Sequence, residues 1–216
     1  FAYDHSDPVN NVVGMKRVLE FAVTNRVKRF LYASSGAVYG DGMNNSYNMA
    51  VEEDGNRYPF DPRGPKSILE NTKCLCEAMG CEYAKQHGFD FLISRGFSFV
   101  GPMMNLDRFA VGQFLRSRKH TIAVNSPDTV RSYMHAADLV IWLLTILLRG
   151  ESCSPYNTGS DEPITLKELA GKISQSVMHP ISPASPPPYY VPDTTKARTE
   201  LGLDLTIPLD EALQRT

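Results

Sequence analysis

Residues 30–40 read Phe-Leu-Tyr-Ala-Ser-Ser-Gly-Ala-Val-Tyr-Gly, an unbroken apolar run that gives way at once to small and hydroxyl-bearing side chains. A run without polar alternation is covered on both faces, as in a strand of a parallel sheet, and parallel strands require helical crossovers. Ligands of open α/β sheets sit beyond the carboxyl ends of the strands, so the loop after such a strand is where chemistry is delivered. Ser35 offers a hydroxyl there and Gly36 an unhindered backbone. A serine-rich turn that caps the next element reads equally well from these residues alone.

The rest of the chain alternates in the same sense. Apolar residues recur at helical spacing over 9–25, with Asp7-Pro8 suited to open the helix, and a strand follows over 27–34. Residues 41–65 are rich in Asn, Gly, Asp and Pro and read as a long loop. A helix runs from 65 or 66 to 86, closed by Gly88, and a second buried strand spans 89–100. Further on we expect a helix over 108–118 and a short strand over 121–124. A helix over 139–149 follows, capped by Asp138, and then a strand near 155–160. Thr165 and Glu168 form a capping box at the head of a helix reaching 177, and the proline-dense residues 179–192 are extended.

Composition narrows the function classes. A net charge of -2 gives no reason to expect nucleic acid or an anionic membrane as partner. The longest apolar stretch, 139–148, falls short of the roughly 20 residues a membrane span needs. Of the four cysteines, Cys74, Cys76 and Cys81 share one helical segment and Cys153 stands apart, which makes no disulfide framework and points to a reducing cytoplasm. Cys74 and Cys76 project to different sides of a helix, so no metal site is expected. The chain opens at Phe1 straight into turn chemistry, and reads as starting partway through a domain.

The string Ser34-Ser35-Gly36-Ala37-Val38-Tyr39-Gly40 resembles the catalytic-serine segment of the extended short-chain dehydrogenase/reductases that act on nucleotide sugars, the NAD-dependent epimerase/dehydratase family. It is nearest the Ser-Ser-x-Ala-Val-Tyr-Gly form of the 4-epimerases. The dehydratases and glucuronate decarboxylases usually place an acid two or three residues further on, where this chain has Gly36 and Ala37. The resemblance implies that Ser35 hydrogen-bonds the sugar hydroxyl being oxidised, with Gly36 at the substrate and Ser34 at the cofactor. Asn11-Val12-Val13-Gly14 resembles the family helix motif and brings Asn11 toward the cofactor; by periodicity alone Asn11 is only a helix start. Lys73, followed by Glu77, matches the lysine that holds the nicotinamide ribose, and a solvated helix lysine is the plainer reading. The family tyrosine four residues earlier is Leu69 here, which has no titratable proton. Arg95 to Pro102 resembles an Arg-x-x-Asn-x-x-Gly-Pro segment, so Phe97 borders the nicotinamide and Ser98 takes the Asn place at the substrate. Arg131 matches the arginine that forks onto the nucleotide diphosphate; a surface pairing with Asp128 or Asp138 is the alternative. Asp193-Thr194-Thr195-Lys196-Ala197 to Leu201-Gly202 matches the closing family pattern.

The fold implied is α/β: a Rossmann-like parallel sheet, its C-terminal portion only, with a smaller α/β substrate-binding lobe. Residues 1–102 belong to the first and 103–216 mainly to the second, with segments around 131–160 returning to the sheet. The implied ligands are NAD or NADP and a nucleotide-diphosphate sugar, and the helices at 9–25 and 66–86 are candidates for a homodimer face. The family Gly-x-x-Gly-x-x-Gly turn does not occur in the sequence, and relatives' Arg and Asp have no counterpart between Pro180 and Val191. We therefore expect a longer polypeptide whose first βαβ units precede this sequence. Two rival readings stand: a catalytically impaired relative kept for binding or assembly, and a C3/C5-type isomerase that needs no tyrosine.

Overall fold

The computed structural model describes residues 8–39, 67–179 and 188–216. The loop expected over 41–65 and residues 180–187 lie outside these. In chain order the elements are α1 (Pro8–Thr24), β1 (Arg29–Ser35), α2 (Ser67–His87), β2 (Asp90–Gly96), β3 (Phe99–Val100), α3 (Ala110–Arg116), β4 (Ile122–Ala123), β5 (Val130–Arg131) and β6 (Met134–His135). Then follow α4 (Ala136–Arg149), β7 (Pro155–Thr158), β8 (Ile164–Thr165), α5 (Leu166–Ile173), β9 (Val177–Met178), β10 (Tyr189–Tyr190), α6 (Thr195–Leu201) and α7 (Leu209–Gln214).

Three strands form a parallel sheet in the order β1-β2-β7. Alternation along β2 sends successive side chains into different helix layers. Phe91 and Ile93 join Met15 and Leu19 of α1 and Cys76 and Ala84 of α2, whereas Leu92 joins Trp142 and Ile146 of α4 and Ala197 of α6. Helices on both faces of a parallel sheet make the Rossmann-like arrangement. A separate apolar cluster gathers α3, β4, α5 and α7 through Phe114, Ile122, Leu169 and Leu213.

Local signals set the helix ends. Gly88 takes a left-handed φ of 72° and its N–H reaches the Ala84 carbonyl at 2.8 Å, closing α2 where expected. The Thr165–Glu168 capping box is present in full. Helix α5 stops at Ile173 rather than 177, because Val177 and Met178 pair with β4. The strand expected over 89–100 is two strands. At Phe97 the backbone N–H bonds the Thr158 carbonyl at 2.9 Å, and the Ser98 carbonyl then accepts the Met134 N–H at 3.1 Å, so the chain leaves the sheet to pair with β6.

Two further expectations are corrected. Strand β1 is half-buried along most of its length, for it flanks the sheet among the described residues, and β2 is the fully covered strand. Asp138 is not the cap of α4. His135 holds that place, its Nδ1 accepting the Ala137 N–H at 3.1 Å. Asp138 sits inside the first turn, 1% exposed, and its carboxylate accepts the backbone N–H groups of Thr206 (3.1 Å) and Ile207 (3.0 Å) and the Thr206 hydroxyl. The acid thus ties the approach to α7 onto the start of α4, where a negative charge also complements the helix dipole.

Candidate active site

Ser34, Arg95 and Asn157 stand in one row across β1, β2 and β7. Arg95 shares its face of β2 with Phe91 and Ile93, and Ser34 and Asn157 are in register with it, so the row faces α2 and is closed there by polar chemistry. Ser34 donates to Glu77 Oε1 at 2.6 Å, and Arg95 grips both Glu77 oxygens, at 3.1 and 2.8 Å. Arg95 Nη1 donates to the Tyr39 hydroxyl at 3.0 Å, which donates to Asn157 Oδ1 at 2.8 Å; Asn157 Nδ2 reaches the Asp193 carbonyl at 2.9 Å. Burial opposes the Arg95 charge, but the hydrogen bonds and charge of Glu77 outweigh it and hold the guanidinium pKa above its ordinary value. The Ser34 hydroxyl is therefore spent inside the protein, fixing the end of β1.

One residue later the chain turns outward. Residues 36–39 form a 3₁₀ turn, and the Ala37 N–H donates to Ser35 Oγ at 3.2 Å, so the serine turn read as an alternative exists beside any chemical role. Tyr190 of β10 brings its phenol close to the Ser35 hydroxyl. A Cβ on Gly36 would lie 2.7 Å from the Tyr190 oxygen and 2.7 Å from Phe97 Cζ, so only glycine lets both rings close on the loop. Phe97 is buried, its ring centroid 4.7 Å from that of Tyr190. Burial pushes the Tyr190 phenol up to about 12, against the nearby Arg131.

Arg131 stacks its guanidinium 5.3 Å from the Tyr190 centroid and donates only to the Val130 carbonyl, at 2.9 Å. Among the described residues no carboxylate pairs with it: Asp138 is committed to residues 206–207, and Asp128 does not reach it. Burial lowers its pKa, with no acid to offset the loss of water. Ser98 is half-buried, and its hydroxyl has no hydrogen bond among the described residues.

Lys73 and Asn11 meet elsewhere. They line a cavity of about 200 Å³ with Tyr32, Leu69, Thr72 and Cys76. Lys73 Nζ donates to the Ala33 carbonyl at 2.8 Å and lies 4.9 Å from the Tyr32 centroid. Leu69 shares this hollow, so the position one turn before Lys73 presents hydrocarbon, and the phenol beside the ammonium is Tyr32. An ammonium and an amide on one hollow suit the hydroxyls of a ribose, while the sequence offers no glycine-rich turn for a pyrophosphate. The fit to a dinucleotide is thus to its ribose end.

The model of the NAD dependent epimerase/dehydratase family matches residues 4–159. The chain belongs to that family. It is 30% identical over 214 residues to a UDP-glucuronic acid decarboxylase 5 of Arabidopsis thaliana, covering 94% of this chain and 60% of that one. A dTDP-D-glucose 4,6-dehydratase of Dictyostelium discoideum is 29% identical over 174 residues, covering 76% of this chain and 38% of its own. Among solved structures, a UDP-glucose 4-epimerase of Thermotoga maritima with UDP-glucose superposes with a TM-score of 0.83 at 21% identity, over 97% of this chain and 69% of that one. Of the same fold, a dTDP-glucose 4,6-dehydratase of Bacillus anthracis is solved with NAD and RMD of Pseudomonas aeruginosa with NADPH. The chain spans about 60% of the length of the decarboxylase.

Within this family frame, the residues that sequence reasoning passed over are Arg95, Glu77, Tyr39 as a network and Tyr190 as the neighbour of Ser35. An arginine inside an apolar strand run is a signal for a buried acid partner, and Glu77 one turn after Lys73 is that acid. Tyr190 carried no such mark.

Proposed function

We propose that this chain carries the substrate side of an NAD-dependent epimerase/dehydratase acting on a nucleotide-diphosphate sugar through transient hydride transfer. The observation that carries the reading is Arg131, a half-buried guanidinium without a carboxylate partner among the described residues, stacked on the tyrosine that meets Ser35. A desolvated arginine lacking an acid is suited to a phosphate fork. With Arg131 on the diphosphate, Ser35 and the Gly36 backbone receive the sugar ring, and Ser98 adds a hydroxyl at its margin. The nicotinamide cofactor, NAD or NADP, supplies hydride acceptance and return. Lys73 and Asn11 hold its ribose, Phe97 walls the ring, and Ser34, fixed by Glu77, keeps Ser35 in place.

Leu69 moves no proton, so the sugar hydroxyl proton passes to another group. Ser35 orients that hydroxyl, and among the described residues the phenol of Tyr190 stands beside Ser35 and that of Tyr32 beside Lys73. We place the protein in the cytoplasm, in keeping with its four free cysteines, and no described helix is long and apolar enough to cross a membrane. A homodimer through α1 and α2 is supported by their exposed Val9, Phe21, Ile68 and Leu75.

Calorimetric titration with uridine diphosphate tests the reading. Binding that Arg131→Ala weakens about tenfold or more supports it, since a tenfold loss matches one charge-assisted contact. Binding indifferent to Arg131, or none at all, removes its foundation.

A further inference from the structure

The last cysteine of α2 and the cysteine of the α4–β7 connection flank the same residue. Gly80 lies so close on the Phe91 ring that a Cβ there would fall 2.0 Å from Phe91 Cζ, which seats residue 81 on the start of β2. From the other side the Cys153 N–H donates to the Phe91 carbonyl at 2.7 Å, and Ser152 Oγ accepts the Phe91 N–H at 3.0 Å. Across this contact the Cys153 thiol is a neighbour of Cys81 and, beside burial, helps to keep it protonated. Cys81 is half-buried and packs against the Phe91 cluster, whereas Cys153 is exposed and held in a left-handed φ of 60°. Cys76, by contrast, is buried, and Cys74 points its sulfur at the Val38 carbonyl, 3.8 Å away.

We propose that Cys81 and Cys153 are an oxidisable pair, closed to a disulfide by exchange with a small disulfide such as oxidised glutathione. The accessible Cys153 loses its proton to solvent and its thiolate attacks one sulfur of the small disulfide. That S–S bond breaks, one small thiolate leaves, and Cys153 carries a mixed disulfide. Cys81 then gives its proton to solvent and its sulfur attacks Cys153 Sγ, expelling the second small thiolate. Two protein thiols are oxidised by two electrons, and one small disulfide is reduced to two thiols. Burial, which raises the Cys81 thiol pKa, makes this second step the slower one. The bond would join α2 to the connection leading into β7 at the amino-terminal end of the strands, the end opposite Ser35, so it fastens the fold without entering the site. The inference does not depend on the proposed function.

The test uses the whole chain, incubated with oxidised glutathione and mapped by mass spectrometry of unreduced peptides. The expected result is a chain lighter by two hydrogens, a peptide linking Cys81 to Cys153, and a melting temperature higher by about 5–10 °C that dithiothreitol reverses. Cys81→Ser and Cys153→Ser each abolish the link, and Cys74→Ser leaves it unchanged. A stable glutathione adduct on Cys153 beside a free Cys81, a link through Cys74 or Cys76, or no change in mass overturns the proposal.

Discussion

Tyr190 lays its hydroxyl against that of Ser35, passing over Gly36 at a distance that leaves no space for a methyl group. The contact joins a two-residue strand near the end of the chain to the loop after β1. With Arg131 on the ring of Tyr190, it links groups from three separate elements.

Tyr190→Phe keeps the ring and removes the partner of Ser35. If Tyr190 positions that hydroxyl, turnover of a nucleotide sugar falls by about tenfold to a hundredfold while uridine diphosphate binds as before, the pattern of an interaction made at the reacting centre. Steady-state kinetics set beside calorimetry separate the two. Equal losses in both would make Tyr190 a structural residue only.

Alkaline pH should weaken the fold through two phenols. Burial pushes both Tyr133 and Tyr190 up to about 12, while in the unfolded chain each ionises near its ordinary value of about 10. The folded state therefore keeps its protons longer. The stability this gives is full below pH 10 and is lost as pH rises from about 10 through about 12. Denaturant midpoints measured across that window should fall, and the Tyr133→Phe, Tyr190→Phe double variant should flatten the decline.

Glu77→Ala leaves Arg95, 6% exposed, as a buried charge without its acid. A loss of about 3–5 kcal/mol is expected in chemical unfolding. Glu77→Leu combined with Arg95→Met should cost less than either single change, because no charge is then stranded. Strict additivity in this cycle would contradict the coupling drawn from the geometry.

Two glycines should respond with opposite signs. Gly36→Ala forces its new methyl onto Phe97 and Tyr190 and should destabilise by about 1–3 kcal/mol. Gly14, on α1, has nothing within 4 Å of a built Cβ, so Gly14→Ala should stabilise by about 0.5–1 kcal/mol through helix propensity. Thermal unfolding of the pair decides both.

What the sequence disclosed follows how far apart the interacting groups lie. The capping box at Thr165 and the αL stop at Gly88 depend on neighbours within a turn, and both are found where they were read. The helices and strands around Ser35 follow from periodicity, and the family from its motifs. The misplaced cap shows the limit: Asp138 has cap chemistry, but its carboxylate is claimed by Thr206 and Ile207, whose approach no local pattern announces. Likewise the apolar run at 30–33 looks fully buried, yet burial depends on which strands lie beside it. Tyr190 was invisible for the same reason, as its partner stands at the far end of the chain.

The Tyr39 hydroxyl accepts a hydrogen bond from Arg95 and donates one to Asn157, two residues that face each other across β2 and β7. If β7 slid by one position, Tyr156 or Thr158 would come opposite Arg95, each with its side chain on the other face, and the Tyr39 proton would lose its acceptor inside the protein. A single phenol thus proofreads the alignment of the sheet: apolar alternation makes a slip costly, and this oxygen makes it detectable at one atom.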